Sequence, residues 1–190
     1  LRAERPSHPE LLDWLTSRFV TEGWSLKKLH RKIVMSATFR QSSNRPTNSD
    51  DLAHATKIDE DNRFLWRMNS RRLTFEQFRD SMLANTSELT LQTGGKPTDL
   101  FKDTSNVRRT LYGLVDRQFL PAILRVFDFA NPDLHVPQRS QTTVPQQALF
   151  FMNHPLVLER AKQLAAVCRE GVAPRAAIEK MFLRVLQREP

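Results

Sequence analysis

Along most of the chain, apolar residues recur every three or four positions, the spacing of helices that bury one stripe. The first stripe is Leu11, Leu12, Trp14, Leu15 and Phe19. Ser7 and Glu10 stand before it at capping-box spacing, Pro9 falls in the first turn, and Gly23 supplies the stop. Trp24 is expected to fold back on that helix. Ser25 opens a second helix, with Leu26, Leu29, Ile33 and Ala37 on one face and basic residues on the other. The two predict a helical hairpin. Residues 41–50 are rich in Ser, Asn, Thr and Pro and read as a loop. Thr74 and Gln77 form another capping box, with Phe75, Phe78, Met82 and Leu83 turned inward and Glu76, Arg79 and Asp80 toward solvent or partners. At 107–116 the period changes to two, which predicts a strand, paired in a short hairpin with 98–102. A helix over 119–127 follows, burying Leu120, Ile123, Leu124 and Phe127. Two more helices carry Leu156, Val157, Leu158, Ala161, Leu164, Ala165 and Cys168, then, beyond Gly171 and Pro174, Ile178, Met181, Phe182, Val185 and Leu186.

Between these stripes lies the segment around which the others are expected to pack, residues 127–155. Asn131-Pro132-Asp133 is a turn signal, and Pro137 holds its neighbour extended. Thr143 and Gln146 have capping-box spacing, with Pro145 in the first turn of a helix that runs through Phe150 and Phe151 until Asn153-His154-Pro155 interrupts it.

The expected fold is mainly α, a bundle-like helical domain with at most one short β-hairpin. With 190 residues, 39% of them apolar, the chain is sized for one domain, with a subdivision near 91–106 as the alternative. A start at Leu1 and an end just past a periodic helix suggest a fragment of a larger multidomain protein. No apolar run is long enough to span a bilayer. A single cysteine, Cys168, excludes an internal disulfide, a multi-cysteine zinc site and c-type haem attachment, and its apolar helical face makes it core.

The formal charge is +8, which admits nucleic acid, anionic lipid or acidic polysaccharide as partners. The basic residues are interleaved with acids, however. Even the densest groups, 27–32 and Arg67 with Arg71 and Arg72, are explained by a solvated helix face, so nucleic acid is not favoured. The acids at 59–62 lack the glycine turn and distal glutamate of a calcium loop and suit a helix cap or ion pairs to Arg63 and Arg67. Gly94-Gly95-Lys96 lacks the spacing of a phosphate-binding loop.

The candidate ligand-binding residues all lie in the central segment: Asp128, Asp133, His135, Arg139, Gln147, Asn153 and His154. His135 and His154 with an aspartate have metal-ligating chemistry, but no helical His pair fixes the geometry, and turn capping accounts for both. Asp128 and Asp133 are close enough in sequence to raise paired-carboxylate catalysis, although an Asn-Pro turn uses Asp for local hydrogen bonds anyway. Arg139, Gln147 and Asn153 are read first as a buried structural network tying the connector to Arg63 or Asp80, and second as the lining of a groove.

Four blocks carry a family resemblance: residues 35–43 (MSATFRQSS), 62–68 (NRFLWRM), Arg71-Arg72-Leu73 with Phe78-Arg79-Asp80, and 142–149 (TTVPQQAL) continued by Asn153-His154-Pro155. With Phe127-Asp128 they span nearly the whole chain, which resembles the DUF1553 family of domains of unknown function, best known from planctomycete bacteria. There the domain forms the carboxy-terminal part of large proteins that also carry cytochrome-c-like domains. The resemblance implies an exported, periplasmic or extracellular parent linked to redox chemistry or polysaccharide breakdown, with any haem in a companion domain and no cofactor in this segment. It implies no catalytic residues. The functional expectation is therefore an uncharacterised interaction or scaffold domain whose partners are companion domains of the same chain. The alternatives are part of an enzyme acting on polysaccharide or another anionic substrate, and a nucleic-acid-binding helical domain.

Overall fold

Pro9 and Gly23 bracket the first helix as their chemistry requires: proline has no N–H to lose in the first turn, and the glycine sits at φ +76°. In this computed structural model, residues 5–44, 49–102, 105–136 and 139–190 are described, with Ser49 described for its backbone alone. The chain divides into two compact units, Leu1–Arg71 and Arg72–Pro190.

The first unit holds α1 (Pro9–Thr21), α2 (Leu26–Met35) and α3 (Ser49–Ile58). Ser25 caps α2 by accepting from the Lys28 N–H. Trp24 packs its ring edge-on to Phe19 at 5.2 Å, closing the α1–α2 hairpin, and Lys32 pairs with Glu22 across it. Ser7 does not cap α1. His8 occupies the cap position without a side-chain bond to the helix, and the Ser7 hydroxyl lies 2.9 Å from His8 Nδ1 instead. Helix α3 is a finding beyond the sequence reading, since its largely polar run has only Leu52 and Ile58 as large apolar residues to mark a stripe. After it, the Asp59 carboxylate accepts the Arg63 and Phe64 N–H groups at 2.8 and 2.7 Å. The carboxylate thus braces a non-helical turn, and the expected helix cap is absent. Asn62, at φ +54°, bonds Arg67 and Asn69 from inside that turn. The buried residues described in this unit are Asp59 and Asn62, both polar.

The second unit contains α4 (Phe75–Asn85), a 3-10 turn at Thr110–Tyr112, α5 (Ala122–Val126), α6 (Pro145–Asn153), α7 (Pro155–Arg169) and α8 (Pro174–Leu186). Helix α7 packs against α4, α6 and α8. Its core is aromatic at one end, where Phe75 meets Phe101, Phe127 and Phe150 with ring centroids 5.2–6.0 Å apart. Leu83, Leu100, Leu124, Leu156, Cys168 and Ala177 complete it.

Among the described residues there is no strand, and the fold is mainly α. The alternating stretch at 107–116 makes only isolated bridges, Thr90 to Arg108 and Thr98 to Gly113. Side chains have taken the groups a ladder would use. Asp80 accepts the Thr110 N–H at 2.7 Å, and Arg79 donates to the Arg108 carbonyl at 2.8 Å. Arg79, expected to face outward, is 1% exposed and also donates to Thr110 Oγ1 and the Asn106 carbonyl. The helix expected over 119–127 is confined to α5, because Pro121 fixes its start.

Candidate functional site

The central segment is anchored by a guanidinium from outside it. Arg72 donates to the Thr142 carbonyl and to Gln147 Oε1, both at 2.9 Å, and to Thr143 Oγ1 at 3.0 Å. Thr143 is thereby diverted from capping α6; Val144 takes the cap position without a side-chain bond, and Pro145 alone organises the first turn. Gln147 is buried on α6 and spends its amide N–H on the Val126 carbonyl at 2.8 Å, joining α6 to the end of α5. Asp128, at φ +56°, accepts both the N–H and the hydroxyl of Thr142 at 2.8 Å. A space of only about 50 Å³ remains among Arg72, Asp128, Arg139 and Gln147, room for water and no substrate.

A larger cleft of about 510 Å³ opens beside this network. Helix α4 places Glu76 and Asp80 on it one turn apart. The Thr74–Gln77 capping box fixes that helix start from both sides. Each carboxylate meets an arginine from a different segment: Arg139 donates to Glu76 Oε1 at 2.8 Å, and Arg109 lies 3.5 Å from Asp80. Arg139 also stacks over Phe129 at 4.6 Å. Burial pushes the Glu76 carboxyl up; its own N–H, the Arg139 guanidinium and the Thr74 hydroxyl outweigh it and leave the group below its ordinary value. Leu100, Phe101, Leu111, Leu114, Leu124 and Phe129 supply the apolar walls.

The other candidates lie apart from both places. His154 ends α6 and caps α7, its Nδ1 accepting the Leu156 N–H at 3.2 Å while its ring lies 4.4 Å from that of Phe150. Burial holds its pKa below the ordinary value, against the raising effect of Glu159. Asn153 donates to the Leu149 carbonyl within its own helix and, with His154, borders an apolar hollow against α5. Asp133 and His135 are exposed, and the Asp133 N–H closes a turn onto Asn131 Oδ1 at 3.0 Å. The structure thus brings Asp128, Arg139 and Gln147 together, and keeps His154 and Asn153 elsewhere.

The network can hold a connector in place, with both Asp128 oxygens engaged by Thr142. Among the described residues no three His, Cys, Asp or Glu side chains converge as they would on a metal. Four residues that the sequence did not single out as ligands shape these places: Arg72, Glu76, Asp80 and Arg109. The Glu76–Asp80 spacing on a capped helix was the available signal. Nothing in the sequence marks which arginine reaches either acid.

A family model described as PSD1, protein of unknown function (DUF1553), matches residues 1–190. No curated protein and no solved structure matches the chain.

Proposed function

The chain belongs to the PSD1 family of proteins of unknown function, and we propose that it serves as a non-catalytic helical interaction unit, its apolar faces covered by companion domains of a larger polypeptide. One observation carries this reading: neither α1 nor α2 buries a single residue. Meanwhile Trp14, Trp24, Leu26, Val34 and Met35 stand exposed on that hairpin. A hairpin that leaves its apolar stripe in water gains little of the burial energy that holds helices together, about 25 cal/mol per Å² of apolar surface. Large apolar side chains left exposed in such number suit an interaction surface. Glu10, Asp13 and Arg18 on α1 and Lys27, Lys28, Arg31 and Lys32 on α2 then act as a charged rim, mixed on the first helix and basic on the second.

On this reading the parent is an exported bacterial protein, and any haem belongs to its cytochrome-c-like domains. Photo-crosslinking tests the interaction directly. A benzophenone side chain in place of Trp14, Leu26 or Val34, in the protein expressed in its own host, is expected to capture one defined polypeptide segment, identified by mass spectrometry. The same probe in place of Lys27 or Arg31 is expected to capture far less. Equal yields from both sets of positions, or none from the apolar set, would rule the reading out.

A further inference from the structure

Helix α2 is electrostatically unfavourable on its own. It carries Lys27, Lys28, Arg31 and Lys32 and no acid. Lys27 and Lys28 stand in its first turn, at the positive end of the helix dipole, where α1 has Glu10. Lys27 with Arg31, and Lys28 with Lys32, are like charges one turn apart, which repel. Lys32 is answered by Glu22, whereas among the described residues no carboxylate pairs with Lys27 or Arg31. A local conflict left uncompensated within the chain is the mark of a surface whose compensation comes from a partner.

The same helix says that the partner is more than a polyanion. Lys27, Arg31 and Val34 follow one another at i, i+4 and i+7 and so share a stripe, and Leu26 and Val34 stand exposed beside the cations. A nucleic acid or acidic polysaccharide would meet the charges and leave those apolar side chains in water. An anionic bilayer would meet both on α2, but on α1 the exposed Leu11, Leu12 and Trp14 stand among Glu10 and Asp13, which anionic headgroups repel. A polypeptide can place acids opposite α2 and none opposite the start of α1. Resting on the companion-domain reading above, we propose that the segment covering α2 is acidic and amphipathic. Its apolar side chains lie on Leu26 and Val34, and its Asp or Glu carboxylates meet Lys27 and Arg31. The low yield expected of a crosslinking probe at Lys27 or Arg31 follows as well, since the probe replaces the cation.

The test is made in the parent polypeptide, expressed in its own host with the benzophenone side chain in place of Val34. The captured segment is expected to carry net negative charge, with Asp or Glu within a helical turn of the crosslinked residue. Adding Lys27→Glu is expected to lower the yield about tenfold, because an attracting contact becomes a repelling one. Lys162→Glu, an exposed charge reversal on α7, is expected to leave the yield unchanged. Lys27→Glu puts an acid in the first turn of α2 and makes an attracting pair with Arg31, so the thermal unfolding midpoint is expected to hold or rise. A lost crosslink then reports on the interface and not on folding. Capture of a neutral or basic segment, or a yield indifferent to Lys27→Glu, overturns the acidic assignment and leaves the companion-domain reading standing. Capture of lipid in place of polypeptide, or no capture from any apolar position, overturns both.

Discussion

Gln147 and Arg79 are polar residues at positions where neighbouring turns of their helices present apolar ones, and both make their hydrogen bonds to groups distant in sequence. Replacing either leaves buried carbonyls or a guanidinium without a partner, which costs more than the bond itself was worth. Gln147→Leu is expected to destabilise the chain by about 1–3 kcal/mol in urea unfolding. Asn153→Ala, at an exposed site bonded only within its own helix, is expected to stay within about 0.5 kcal/mol. Equal effects would remove the distinction drawn between the network and the rest of the central segment. His154 supplies a pH test. Its folded pKa lies below the ordinary 6.5, so the unfolded chain binds more protons between those values. Its contribution to stability is therefore complete above pH 6.5 and is lost as pH falls through the folded value. His154→Asn, able to cap α7 without titrating, is expected to flatten the stability profile on the acid side of 6.5. An unchanged slope in the variant would assign the acid sensitivity to other groups.

At the scale of elements, two sequence motifs of the same form have opposite outcomes. Thr74 and Gln77 close a complete capping box on α4, while Ser7 leaves α1 uncapped and Thr143 is drawn away by Arg72. Thr74→Ala is thus expected to cost about 1 kcal/mol, against a negligible change for Ser7→Ala, measured by thermal unfolding. Helix stripes were legible because each rests on local periodicity and on stops such as Gly23 and Gly171, both in the left-handed region. The residues at 107–116 misled because alternation predicts which side chains share a face and says nothing about who claims the backbone. Asp80 and Arg79, about thirty positions upstream, claimed it. The same limit applied to the site. Asp128, Arg139 and Gln147 stood out by their setting among prolines and aromatics, whereas Arg72 looked like one more member of a basic cluster until its three acceptors were seen.

At the scale of the molecule, the two units differ in how they are held. Residues 72–190 have a core of Phe75, Leu83, Leu100, Leu124, Leu156, Cys168 and Ala177. In residues 1–71 the described buried residues are Asp59 and Asn62, and the hairpin relies on the Phe19–Trp24 contact and the Glu22–Lys32 pair. One half-buried ion pair and one ring contact add little, so α1 and α2 should open readily while the second unit stays closed. Amide hydrogen exchange of the chain on its own, followed by mass spectrometry, tests this most directly. The account predicts that peptides covering 9–35 exchange within seconds to minutes, while those from α4 and α7 stay protected for at least a hundredfold longer, by the order of magnitude expected of a local opening several kcal/mol cheaper than global unfolding. Protection of 9–35 equal to that of α4 would mean the hairpin is stable without a partner, contradicting the claim that its apolar face is built to be covered.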